Sequence, residues 1–172
     1  MKHTRTLLLA AIIGLSVQAM PALAQDDPAN VAALVFEASQ ARTTTTDDGV
    51  VRIGWTRDDV PVTVDGMRLD PPAGLGSWAA FKPVEGGSMV MGDTVVFEDE
   101  ITPAMDAALA NGLTVTAIHN HFVFDEPKVY FMHIGGHGET AELAAGVKAV
   151  WNAIKAVRER SPEPQRLSLI HI

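Results

Sequence analysis

Residues 113–137 read LTVTAIHNHFVFDEPKVYFMHIGGH, and both the fold and the chemistry turn on how they are read. Two β-rich runs flank Asp125-Glu126-Pro127, which has the chemistry of a turn, so two neighbouring antiparallel strands are expected. Four of the six histidines, His119, His121, His133 and His137, fall inside this window. Strand alternation sets residues i and i+2 on one face, which places His119 and His121 side by side. Along the first strand the odd-numbered residues are Leu113, Val115 and Ala117, so the imidazoles are expected at the rim of the core face. Register decides whether His133 joins them. An odd loop centred on Glu126 sets His119 opposite His133, whereas an even loop turns His133 away; the odd loop is the expectation.

His-x-His on a strand with a third histidine across from it is a way of offering nitrogen ligands to one divalent metal, for which zinc is the first choice. His119, His121 and His133 are the expected ligands, with His137 or Glu126 completing the shell. Three histidines and an open position are the pattern of a catalytic zinc site rather than a structural one, and Glu126 is the candidate general base on a metal-bound water. Lewis-acid chemistry on a small carbonyl or carboxylate compound follows from that pattern. The competing readings are a non-enzymatic, metal-sequestering module, and histidines that only satisfy carbonyls or Asp125 at a strand end.

Outward from this window, residues 102–112 carry Thr102 as a helix cap, Pro103 at the first position and Asn111-Gly112 as a stop. After the window, Leu143, Val147, Val150, Ile154 and Val157 form one helical face ending at Ser161-Pro162. Before it, residues 50–56, 61–64, 77–82 and 88–97 read as strands. Asp65-Gly66 is a tight hairpin signal and Gly92 a bulge or close approach. Glu98-Asp99-Glu100 reads as negative charge at a helix start. Strands, helix, two strands, helix make an α+β fold in two layers, a mostly antiparallel sheet with helices packed on one face. The expected divisions are a signal peptide at 1–24, a polar lead-in with a short helix over 31–41 in 25–48, one α+β domain at 49–160, and a tail at 161–172.

The signal-peptide reading rests on Lys2 and Arg5, the apolar run 7–17 and the Ala22-Leu23-Ala24 cleavage site, and it implies a periplasmic or secreted protein. Removing those residues takes two of thirteen basic side chains and none of the twenty-one acidic ones, for a formal charge of −10. An acidic chain without a basic cluster excludes nucleic acid and anionic membrane surfaces as partners. There is no cysteine, so disulfides, thiolate ligands, a cysteine nucleophile and a lipoprotein anchor are excluded as well.

Three segments carry a family resemblance: VTVDGMRLDPPAGLGSWAAFKP (62–83), MVMGDTVVFEDEITPAM (89–105) and VTAIHNHFVFDEPKVYFMHIGGHGETAELAAGVKA (115–149). Together, with HNH and FMHIGGHG in that order, they resemble the LppY/LpqO family of exported bacterial proteins, a domain of unknown function, over roughly residues 49–157. The resemblance implies export and, often, two copies of the domain with the histidine and acidic signature repeated. It implies no activity. This sequence departs in having one copy and no lipobox cysteine. A second copy or a homo-oligomer is therefore an expected partner beside a small molecule or metal ion. The closing LSLIHI (167–172) resembles translated adapter sequence, so the natural chain is expected to continue past Arg166. A looser likeness in spacing links His-x-His-Phe and the Gly-Gly-His element to α-acetolactate decarboxylase, as analogy only.

Overall fold

Among the described residues there are nine strands and three helices, and the helices cover one side of the larger sheet. The computed structural model describes residues 27–165; the expected signal peptide at 1–24 and residues 166–172 of the expected tail lie outside the described residues. Helix α1 spans Pro28–Ser39, starting earlier than the expected Val31 because Asp27 caps it through Ala29 N and Pro28 suits its first turn. The strands are β1 (Thr44–Thr45), β2 (Val51–Thr56), β3 (Thr63–Val64), β4 (Met67–Arg68), β5 (Gly76–Val84) and β6 (Gly87–Phe97). Helix α2 (Ile101–Ala110) follows, then β7 (Thr114–Asn120), β8 (Asp125–Glu126), β9 (Val129–Gly138) and helix α3 (Thr140–Arg160).

Six strands form one antiparallel sheet in the order β1-β2-β5-β6-β9-β7. The fold is α+β, as its patterning predicts. Val51, Ile53, Phe81, Val90, Met132 and Ile134 point from this sheet into a core shared with α1, α2 and the apolar face of α3. Each such side chain, fully buried, contributes about 1.5–3 kcal/mol. Gly92 is the close approach rather than a bulge: pairing runs through it unbroken, and a Cβ there would stand 2.9 Å from Trp78 O.

The opposite face is covered only at one end. There β3 and β4, turned by Asp65-Gly66 with φ of 51° and 76°, join β8 in a second small sheet. Val60, Val62, Leu75, Val95, Phe97, Val129 and Phe131 make a second core beneath it. The boundary is legible along β6. Met89 and Met91 alternate exposed with buried neighbours, Asp93 is intermediate, and everything from Thr94 to Phe97 is buried.

The acidic run before α2 has a different role from the expected one. Glu98–Glu100 is a 3₁₀ turn leading into α2, and Thr102 lies inside the helix rather than capping it. Glu100 stands at the N-cap position of α2 without a side-chain cap bond; its carboxylate instead accepts from Phe97 N, at the start of the 3₁₀ turn, at 2.8 Å. Its buried carboxylate also accepts from both terminal nitrogens of Arg57, at 2.8 and 2.9 Å, and pairs with Arg158 at 2.7 Å. Arg57, wholly buried, turns its remaining donors to Asp59 and to Val95 O. Two of the three acids, Asp99 and Glu100, are thus taken up by arginines.

Candidate metal centre

The site forms where the second core ends. Asp93 on β6 pairs directly with His133 on β9, and Trp78 on β5 pairs with Asp93 from the other side, so one cross-sheet row carries all three on the face without helices. His119 reaches this face by a β-bulge. Val115 pairs with Ile134 and Ala117 with His133, which leaves Thr116 as the extra residue. The alternation therefore reverses within β7. Val115 packs against the helix-side core while His119 emerges on the opposite face, correcting the expectation that the imidazoles continue the core face.

The loop parity is odd, as expected, but centred on Asp125: His119 pairs with Phe131 rather than with His133. His119 and His133 are diagonal neighbours, and their rings meet edge to face with centroids 5.0 Å apart. Nε2 of one lies 3.0 Å from Nε2 of the other, and His133 Nε2 lies 3.5 Å from Asp93 Oδ1. One ligand atom from each of Asp93, His119 and His133 falls within 4.8 Å of the others. Two nitrogens each about 2.0–2.1 Å from one ion stand roughly 3.0–3.4 Å apart at ordinary coordination angles. The two imidazoles already have that spacing.

Two features aim these atoms. His119 Nδ1 stands 3.0 Å from Asn120 O, where only a protonated Nδ1 can donate, and this leaves Nε2 with its lone pair toward the cluster. Asp93 Oδ1 is buried and accepts no hydrogen bond, an unusual state for a carboxylate oxygen. Burial holds the Asp93 carboxyl above its ordinary range, against the pull of His133, His119 and His121. A cation at the cluster would relieve that orphaned oxygen.

The other residues named from sequence fall outside the triad. His121 stacks on Phe131, centroids 4.1 Å apart, and packs against Phe122. What burial it has lowers its pKa, with Asp93 opposing. With Trp78, Phe131 and the Pro72–Gly74 turn it lines an open cleft of about 330 Å³ into which Asp93 also faces. His137 pairs with Met89, four residues along β9 from His133, or about 13 Å. Glu126 sits in β8 opposite Thr63 and lines a separate small cavity with Glu98 and Gln165. Asp125 is committed to Lys128 and to Val129 N. Asp93 is the residue that sequence reasoning passed over. Its signal was a lone acid in the middle of an apolar strand, SMVMGDTVVF, where a carboxylate without a purpose is costly.

The sequence matches, over residues 24–153, the family described as a Domain of Unknown Function (DUF1259). The chain belongs to that family. No curated protein and no solved structure matches it. For this DUF1259 domain the site itself must therefore carry the functional reading. Among the described residues no helix is long and apolar enough to cross a membrane.

Proposed function

We propose that this DUF1259 domain binds a divalent transition metal, zinc as first choice, through Asp93 Oδ1, His119 Nε2 and His133 Nε2. The observation that carries the reading is the buried, unpartnered Asp93 oxygen facing two imidazole nitrogens 3.0 Å apart. Two imidazoles and one carboxylate are a borderline donor set suited to zinc or iron(II). Three protein ligands leave a position open toward the cleft beside Asp93. A metal there would act as a Lewis acid on a small carbonyl or carboxylate compound held between Trp78 and Phe131, with His121 as a hydrogen-bonding group.

One feature favours a second reading, a binding module without turnover: His119 is exposed and the cleft is open rather than enclosed. Both readings fit an exported protein, which the n-region, apolar core and small-residue site of residues 1–24 support.

The test is metal analysis of untagged protein, followed by zinc titration of chelator-treated protein. One bound equivalent and a raised melting temperature are expected, both lost in Asp93→Asn and His119→Ala while the metal-free variants remain folded. A chain that purifies empty and does not respond to zinc would sink the reading. Turnover of small 2-keto or 2-hydroxy acids separates enzyme from module.

A further inference from the structure

The face without helices has a second, chemically different end. On β6 the exposed residues running away from Asp93 are Met91 and Met89, and opposite them on β9 lie Gly135 and His137. Met89 pairs directly with His137, and Met91 is its diagonal neighbour, a separation that long side chains span. Gly135 has no side chain to intervene, and the Met91 sulfur lies over it, 3.3 Å from where a Cβ would stand. Met89 and Met91 are 46% and 43% exposed. Among the described residues the His137 side chain is exposed and engages in no hydrogen bond or ion pair.

From this juxtaposition the geometry points to a soft-metal site, Met89 and Met91 with His137, that takes copper(I). Thioether sulfur is a weak ligand for zinc and other hard or borderline dications, but it selects copper(I), and one imidazole with two thioethers completes a three-coordinate shell. No carboxylate pairs across the strands from these three residues; Asp93 follows Met91 on the same face of β6, and the strand neighbour of Met89 on its other side is Lys82, whose ammonium turns to Asp48 O. Selection for copper(I) therefore rests on the two thioethers. The sheet thus sorts its donors along two strands, from carboxylate and paired imidazoles at Asp93 to sulfur at Met89. This site does not depend on metal binding at the Asp93 cluster.

The test uses the untagged full chain under anaerobic, reducing conditions, with copper(I) titrated against a chromogenic copper(I) chelator. One equivalent is expected to bind, and X-ray absorption of the loaded wild-type protein to show sulfur in the copper shell. Met89→Leu and Met91→Leu, which keep volume and apolarity, are each expected to weaken binding by about tenfold or more. A His119→Ala, His133→Ala double variant is expected to keep it. A copper shell of nitrogen alone, affinity unchanged in the Met89→Leu, Met91→Leu, His137→Ala variant, or loss of binding in the His119, His133 variant would each overturn the proposal. The X-ray absorption reading needs no variant, so it decides even if one fails to fold.

Discussion

Two carboxylates about a strand's length apart in sequence, Asp93 and Glu100, are treated in opposite ways. Glu100 is wholly enclosed, and its oxygens meet two guanidinium nitrogens of Arg57, the ε nitrogen of Arg158 and the amide of Phe97. Asp93 is less buried, yet its Oδ1 meets no donor, and the nearest cationic candidate is an imidazole nitrogen at 3.5 Å that makes no hydrogen bond with it. A carboxylate held by three hydrogen bonds and a second guanidinium holds the fold together and is not free for a ligand. One left unsatisfied at the mouth of a cleft destabilises the protein by itself, which is the expected state of a group awaiting a cation.

Substitution should expose that contrast most strongly at Glu100. Glu100→Ala leaves Arg57 buried without its main partner, and a loss of about 3–5 kcal/mol is expected by urea denaturation, with zinc affinity untouched in whatever fraction stays folded. Asp93→Asn should do the reverse. The metal-free protein keeps or slightly gains stability, because a buried charge without a donor has been removed. The zinc-dependent stabilisation, about 2.7 kcal/mol at a hundredfold excess over Kd, disappears. If Asp93→Asn cost as much as Glu100→Ala without metal, the two carboxylates would be the same kind of group and the contrast would collapse.

Thr116 offers a geometric test of the same site. It is the extra residue that turns His119 from the helix side to the open side. Deleting it should close the bulge while Ala117 stays opposite His133 and His119 opposite Phe131, so zinc binding is expected to survive, at a stability cost limited by the exposure of this edge strand; loss of zinc binding in a folded deletion variant would break the assignment of Thr116 as the extra residue. Zinc titration and far-UV circular dichroism on the same sample separate loss of the site from loss of the fold.

That bulge also marks where the sequence stops being readable. The fold class, the Asp65-Gly66 hairpin and the long face of α3 follow from periodicity and turn chemistry, which are local. His119 and His133 were found the same way, since an odd loop keeps them on one face. Which face could not be read, because one inserted residue reverses it and Thr116 looks like any strand residue. Asp93 was missed for another reason. Its partners arrive from two other strands, so its meaning exists only after β6, β9 and β7 have paired. The acidic run at 98–100 does stand at a helix start, but the ion pairs made there were not legible locally: Glu100 meets Arg57, 43 residues away, and Asp99 meets Arg158.

The smallest effect expected is in pH dependence, where two acids should differ in sign. Asp59 is partly buried, which alone would raise its pKa, but the Arg57 guanidinium grips both its oxygens and holds it below the ordinary carboxylate range. Its contribution is therefore present above the unfolded value of about 4 and is lost as pH falls through the lowered folded value. Because a third of its side chain is exposed, that contribution is about 1 kcal/mol or less. Asp93 in the metal-free protein is raised by burial, so its folded state holds a proton that the unfolded chain releases, and stability falls as pH rises through the carboxylate range. Denaturation midpoints between pH 3 and 7 should show both: Asp59→Asn removes a loss toward acid, and Asp93→Asn removes a loss toward neutral pH. Adding zinc should reverse the second slope, because ligation requires the ionised carboxylate. A zinc-independent slope at Asp93 would mean that its buried oxygen answers to protons alone.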